Sequence, residues 1–198
     1  MDGKMTRITS ILSDLASRQT EMSKVFKLNN GLSIPALGLG LWKSTKATGA
    51  LAVTTALESG YKFFDTAAIY QNNADIGKVL GAADRKSLFI ADKLHCHQVA
   101  NVEKALDKNL KDLQLQYVDL YMVHWPFTPD PKAPRKFVID FEAIRKVWRD
   151  MEKLVENGKA KSIGVSNFST NQLKEIMKDA KIMPAVNQVE MRKSNRII

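Results

Sequence analysis

Short apolar runs alternate with longer amphipathic segments along most of the 198-residue chain. The runs are Leu37 to Trp42, Tyr61 to Asp65, Leu88 to Lys93, Val118 to Trp125, Ser162 to Asn167 and Ala185 to Glu190. Their length and content suit buried strands, and the segments between them carry helical periodicity. Phe141, Ile144, Trp148, Met151 and Val155 fall on one stripe that Asn157-Gly158 ends, and Val102, Leu106, Leu110 and Leu113 make a second. Ser169-Thr170-Asn171-Gln172 has the Ser-x-x-Gln form of a capping box, opening a third helix through Leu173, Ile176 and Met177. Ahead of these, Val25 to Leu28 and Leu32 to Ile34 flank Asn29-Asn30-Gly31, which predicts a β-hairpin at the base of the domain.

Repeated βα units imply a parallel sheet, either open and doubly wound or closed as a barrel. A doubly wound dinucleotide fold normally announces itself by G-x-G-x-x-G after its first strand. Here Gly38-Leu39-Gly40 runs into Leu41-Trp42-Lys43. The expected class is therefore α/β, a (β/α)8 barrel type. Only six barrel strands can be counted, against the eight in about 250 residues that such a barrel normally uses, so the barrel is read as incomplete. The expected organisation is an N-terminal extension over 1–21, a partial barrel over 22–190 and a divergent tail over 191–198. The extension places Ile8, Ile11, Leu12 and Leu15 at the spacing of a short amphipathic helix, and Met22 is a second plausible start.

Composition narrows the function classes. Hydrophobic residues make up 44% and charged residues 26%, as in ordinary globular domains. No apolar run approaches the roughly 18 residues of a membrane span, the start lacks the apolar core of a secretory signal, and Asp2, Asp14 and Glu21 speak against an organellar transit peptide. A lone Cys96 fits a reducing compartment, and a cytoplasmic protein without membrane contact is expected. The net charge of +9 is spread between apolar positions with no block of five basic residues, which favours solvated helix faces over a nucleic-acid surface.

The candidate chemistry gathers at the ends of the runs, where barrels collect function. Asp65 closes the second run directly after two aromatics, Lys93 closes the third, His124 lies near the end of the fourth, and Tyr70 follows Asp65 by five positions. A buried Asp demands a cation or donors. Lys93 meets that demand, and a nearby ammonium is expected to lower the Tyr70 pKa. With His124 placed to hydrogen-bond a substrate oxygen, the set reads as a proton donor aimed at a carbonyl. Taken singly, each member also has a structural reading: an inter-strand ion pair, a loop anchor, a core histidine.

Phe64-Asp65-Thr66-Ala67-Ala68-Ile69-Tyr70-Gln71-Asn72, Asp119-Leu120-Tyr121-Met122-Val123-His124-Trp125-Pro126, Ile163-Gly164-Val165-Ser166-Asn167-Phe168 and Asn187-Gln188-Val189-Glu190 closely resemble the aldo-keto reductase family, in its order and spacing. The resemblance implies reduction of aldehydes or ketones with NADPH (NADP), and a catalytic tetrad on Asp65, Tyr70, Lys93 and His124. It further implies cofactor binding by Leu41, Trp42, Asp65, Ser166, Asn167 and Gln188, the last three holding the carboxamide. Substrate would be walled by Trp42, Tyr70, His124 and Trp125, with the loop carrying Pro126, Pro129, Pro131 and Pro134 as part of the rim. As bare aromatics at strand ends, Trp42 and Trp125 also fit barrel packing. A small-molecule carbonyl partner and a monomer are expected for the family, with self-association through open barrel edges as a further possibility.

Three positions depart from the family pattern. His95 stands at a usual pocket tryptophan, Asn73 at a usual glutamate, and the residues after Glu190 do not continue the pattern. The resemblance places the aromatic that stacks on nicotinamide and the groups that hold the 2'-phosphate and pyrophosphate in units beyond that point, so a shortened family member is expected. Two other readings stand beside it. One is a metal-dependent hydrolase using His95, Cys96, His97, His124 and Asp65. The other is a non-enzymatic chain that binds or interferes through its open edge.

Overall fold

The computed structural model describes residues 24–191. The readings made for the first 21 residues, for Met22 and for all of the tail after Met191 lie outside the described residues. Strands β3 (Gly38–Gly40), β4 (Phe63–Asp65), β5 (Phe89–Leu94), β6 (Val118–Val123), β9 (Ala160–Ser166) and β10 (Asn187–Gln188) form one six-stranded sheet in the order β10-β9-β6-β5-β4-β3. Every pairing in it is parallel. Each of the six expected runs holds one of these strands, except that β5 continues one residue further, to Leu94, and β9 starts two residues earlier, at Ala160.

The connections are helical: α1 (Lys46–Glu58), α2 (Asn73–Leu80), α3 (Val102–Leu113), α4 (Phe141–Glu156) and α5 (Thr170–Met177). Local chemistry fixes where they begin. Thr45 and Ser169 each open a reciprocal capping box, with Thr48 and Gln172, and the Asp140 carboxylate accepts from the N–H groups of Glu142 and Ala143. The expected α4 stripe is displaced at its ends: Ile144, Trp148 and Met151 are buried with Val147 and Leu154, whereas Phe141 is exposed and Val155 half-buried. Phe141 is the first helical residue, and the buried face of a helix drifts away from any fixed spacing over four turns.

Side chains alternate across each strand, which divides the core in two. The large layer lies between sheet and helices, built from Phe64, Ile90, Leu94, Leu106, Leu113, Tyr121, Trp148, Met151, Ile163, Val165 and their neighbours. Gly77 lets α2 approach α3: a Cβ there would collide with the carbonyl of Asp112. The smaller layer fills the opposite face with Phe89, Ala91, Leu120 and Met122, joined by Phe63 of β4 and by Val186 just before β10. Trp42, just past one edge strand, and Gln188, on the other, line a single cleft. Only a sheet curled toward closure brings its two edges to one cavity.

The predicted hairpin is present as β1 (Val25–Lys27) paired antiparallel with β2 (Ser33–Pro35), with Gly31 at φ +86° in its turn. It plugs the end of the curl opposite the cleft. Leu28 and Ile34 pack against the inner layer, and Asn30 Nδ2 donates to Lys161 O at 3.1 Å and Ser162 Oγ at 2.8 Å. One reading is corrected. The proline-rich loop contains a second hairpin, β7 (Thr128–Asp130) with β8 (Ala133–Val138). A two-stranded ribbon consists of edges only, where a missing proline N–H need not cost a ladder bond.

Buried Glu152 of α4 determines how the chain enters β10. Its Oε1 accepts from the N–H groups of Lys181 at 2.7 Å and Ile182 at 2.9 Å, while Trp148 Nε1 donates to Ile182 O at 3.0 Å. Glu152→Ala leaves two amides without an acceptor, and an unsatisfied buried donor costs about 1–3 kcal/mol. Urea unfolding should show a loss of that size, while Glu152→Gln, which keeps one carbonyl acceptor, should retain most of the stability.

Candidate active site

Each strand of the curl, read along the chain after β3, presents one polar side chain at its C-terminal end: Asp65 on β4, Lys93 on β5, His124 just past β6, Ser166 on β9 and Gln188 on β10. Parallel register brings them together, since β4, β5 and β6 run side by side and the His124 N–H donates to Leu94 O at 3.1 Å. The Lys93 Nζ lies 2.7 Å from both Asp65 carboxylate oxygens and 3.0 Å from Thr66 O. Lys93 is 1% exposed, so those contacts replace nearly all of its hydration. Tyr70 arrives on a short 3-10 turn, Ala68–Tyr70, with its Oη 3.5 Å from Lys93 Nζ and its ring 6.0 Å from that of His124, edge to face. The four residues drawn from the sequence thus lie together at one end of the sheet.

Its electrostatics differ from expectation in one respect. The Tyr70 phenol is pushed up to about 12, by burial first and then by the carboxylates of Asp65 and Asp92. Lys93 does not reverse this, because its charge is matched at 2.7 Å by Asp65 and reaches the phenol only at the long limit of a hydrogen bond. Tyr70 therefore holds its proton throughout the neutral range. His124 is pushed down to about 4 by burial, with Lys93 and His95 adding to the effect, and its Nδ1 has no hydrogen-bond partner among the described residues. A neutral imidazole retains one N–H to donate.

The cleft in front of this group has a volume of about 560 Å³ and is lined by Trp42, Ile69, Tyr70, His124, Trp125, Ser166, Asn167, Gln188, Val189 and Glu190. Trp42 is 67% exposed and Trp125 40%, so both are wall rather than core. Trp125 stacks between His124 and Phe127. On the far wall, Asn167 adopts the left-handed conformation at φ +64°, which Asn tolerates better than most residues. Its Nδ2 donates to His124 O at 3.0 Å and Ser166 Oγ at 3.1 Å, and Ser166 Oγ donates to Gln188 O at 2.9 Å. The Gln188 side-chain amide makes no hydrogen bond to the described residues. It offers one acceptor and two donors to a ligand, as a carboxamide requires.

Not every expected residue faces the cleft. The Leu41 side chain is buried in the helix-side layer, where its N–H donates to Asp65 O and its carbonyl accepts from Asn72 Nδ2. Asp65 meets Lys93 and is not part of the wall. His95 is half-buried and caps its own 3-10 turn, Cys96–Gln98, rather than reaching the cleft. Asn73 accepts from Thr66 Oγ1 at 2.8 Å, which steadies the chain just after Asp65. Among the described residues, no group of three or more His, Cys, Asp or Glu is placed to hold a metal ion, which leaves the hydrolase reading without a site. Sequence reasoning missed Ile69, Val189 and Glu190 as wall residues. It also missed Asp92, whose signal was a charge set inside the apolar run that ends at Lys93.

Known proteins resemble the chain in sequence and fold. The family model described as the aldo/keto reductase family matches residues 36–197. Aldo-keto reductase family 4 member C11 of Arabidopsis thaliana is 43% identical over 182 residues, covering 85% of this chain and 57% of the relative. The glycerol 2-dehydrogenase (NADP(+)) of Saccharomyces cerevisiae is 40% identical over 191 residues, covering 86% and 61%. The solved structure of an aldo/keto reductase from Brucella melitensis superposes with a TM-score of 0.76 at 37% identity, covering 85% of this chain and 63% of that one. The chain thus spans little more than half the length of the curated relatives it matches. With the family model covering most of its residues and its six parallel strands superposing on a solved family structure, the chain belongs to the aldo/keto reductase family.

Proposed function

We propose that the protein reduces aldehydes or ketones to alcohols with NADPH, and that Tyr70 is the proton donor. The observation that carries this reading is a protonated phenol at the cleft wall, backed by an ammonium that is itself fixed by a carboxylate. Substrate carbonyl oxygen would sit against Tyr70 Oη and the His124 imidazole. As the carbonyl carbon gains hydride, Tyr70 passes its proton to the oxygen, the O–H of the alcohol forms, and the phenolate left behind faces Lys93 Nζ. The two Asp65 oxygens, each 2.7 Å from Lys93 Nζ, fix that ammonium behind the phenol. His124 remains neutral and donates a hydrogen bond to the same oxygen. NADPH, when bound, supplies the hydride.

The described residues fit the nicotinamide end of that cofactor. Gln188 has an uncommitted amide, while Ser166 and Asn167 are locked to each other and to His124 O at the same wall. Among the described residues, no Lys or Arg lines the cleft, so groups for the phosphates are not among the described wall residues. The preference for NADPH over NADH is supported by a relative whose name specifies NADP(+). Trp42, Trp125 and Ile69 make the substrate side apolar. No helix among the described residues is long and apolar enough to cross a membrane, and a cytoplasmic, small-molecule enzyme is the reading we adopt.

Three outcomes are expected. Saturating NADPH should raise the melting temperature by mass action, and the chain should turn over an aromatic aldehyde. Absence of both in a folded sample would overturn the reading and favour a binding role. Tyr70→Phe should lower kcat/KM by roughly 10²–10⁴-fold with NADPH affinity unchanged, as measured by nicotinamide fluorescence. Lys93→Met strips the Asp65 carboxylate of its cation, and breaking a buried pair this way costs about 3–5 kcal/mol. Chemical unfolding should show that loss, and the double variant Asp65→Asn/Lys93→Met should recover much of it.

A further inference from the structure

The position of Tyr70 is set by its loop more than by its own side chain. Among the described residues its hydroxyl makes one hydrogen bond, at the long limit of 3.5 Å from Lys93 Nζ. The turn that carries it borders open space on both faces. Ile69 and Tyr70 line the cleft on one side, while Ala68 and Gln71 line a second cavity of about 330 Å³ between the turn and α3. Gln71 stands in the left-handed region at φ +57°, which a glutamine rarely adopts, so local preference does not fix the turn either. The order comes from the ends of the loop. Thr66 and Asn73, where the chain leaves β4 and enters α2, are 1% and 5% exposed, and Thr66 Oγ1 donates to Asn73 Oδ1 at 2.8 Å across the neck. Helix α2 is a firm anchor, seated by fully buried Ile76 and Leu80 and by its close approach to α3 at Gly77.

Every polar group of Thr66 is committed at this junction. Its N–H donates to Ala91 O on β5 at 2.9 Å, its carbonyl accepts from Lys93 Nζ at 3.0 Å, and its hydroxyl reaches Asn73. One residue thus joins the Lys93 ammonium to the helix that receives the chain after Tyr70. Asn72 fixes the same exit from another direction: its Nδ2 donates to Leu41 O at 3.1 Å and Ser44 O at 3.3 Å, on the turn that presents Trp42. We propose that Thr66 and Asn73 are positioning residues for Tyr70, their hydrogen bond closing the neck of the loop so that the phenol stays aligned with Lys93 Nζ and the substrate oxygen.

The proposal rests on reading Tyr70 as the proton donor, yet its first measurement needs no turnover. The chain is labelled with a magnetic isotope at the phenolic carbon of tyrosine, and the Tyr70 resonance is assigned from Tyr70→Phe. Tyr117, just before β6 at the opposite end of the sheet, serves as the internal control. Thr66→Val and Asn73→Leu should each shift or broaden the Tyr70 resonance and leave that of Tyr117 in place, whereas Thr66→Ser, which keeps the hydroxyl, should leave both. In the same two variants kcat should fall roughly 10–100-fold with NADPH affinity unchanged, since a misplacement of about 1 Å suffices for such a loss. The double variant Thr66→Val/Asn73→Leu separates position from stability. Removing both partners of a buried hydrogen bond is nearly neutral where removing one is not. Its urea midpoint should therefore return toward that of the unmodified chain, while the Tyr70 resonance and kcat stay altered. Asn73→Leu also removes an Nδ2 that is buried without a partner among the described residues, which keeps the test decisive if Thr66→Val does not fold. A Tyr70 resonance unmoved in Asn73→Leu, a kcat unchanged in an active chain, or recovery of both with stability in the double variant overturns the proposal. Absence of turnover in the unmodified chain would instead overturn the reduction, and the resonance would still report whether the neck holds Tyr70.

Discussion

An ammonium group removed from water survives as a cation only where the protein replaces its hydration shell, and Lys93 is the point at which this fold does so. Asp65 and the Thr66 carbonyl lie within 3.0 Å of its Nζ. That arrangement requires β4 and β5 to be parallel neighbours in one particular register, and it requires the chain to leave β4 along a path that turns the Thr66 carbonyl inward. The same path delivers Tyr70. A buried ion pair of this kind is weak evidence for stability, since its desolvation offsets much of its attraction. Its use here is to fix a charge behind a phenol.

The two faces of the sheet divide the labour. The helix side carries most of the apolar packing, and the curled inner side narrows from the hairpin plug through Phe89, Leu120 and Met122 to the polar strand ends. Because side chains alternate, every inward polar residue at the mouth has an outward neighbour in the core. At β5 that neighbour is Asp92, so a charged group occupies both sides of the sheet within two consecutive residues. Burial acts in opposite senses on the groups at the mouth: it keeps the Tyr70 phenol protonated and the His124 imidazole neutral. Both end in the states that a hydrogen-bond donor toward a carbonyl oxygen needs.

Much of this was legible before any coordinates. Strand runs ending in Asp65, Lys93 and His124 announced themselves because an apolar stretch that stops at a charge leaves that charge at a sheet end. The hairpin and the Ser169 cap were readable because turn and cap chemistry is local. What stayed hidden depended on distance. The sequence expectation for Tyr70 had the wrong sign, since burial first and then the carboxylates of Asp65 and Asp92 raise its pKa, and burial and separation are set only by the fold. The outward placement of Leu41, the ribbon within the proline-rich loop and the hydrogen bond from Asn109 to Asp92 are likewise matters of orientation that periodicity does not encode.

The spatial order of the sheet has a consequence for synthesis. Reading β3, β4, β5, β6, β9, β10 across the sheet is the same as reading along the chain. Each strand that leaves the ribosome finds its hydrogen-bonding neighbour already made, and no strand must wait for a later one to be inserted beside it. Parallel pairing is ordinarily slow because loop closure precedes any reward, but here every closure spans one βα unit. That order lets the sheet grow from one end, with Asp65 of β4 already in the chain when β5 and its Lys93 are made.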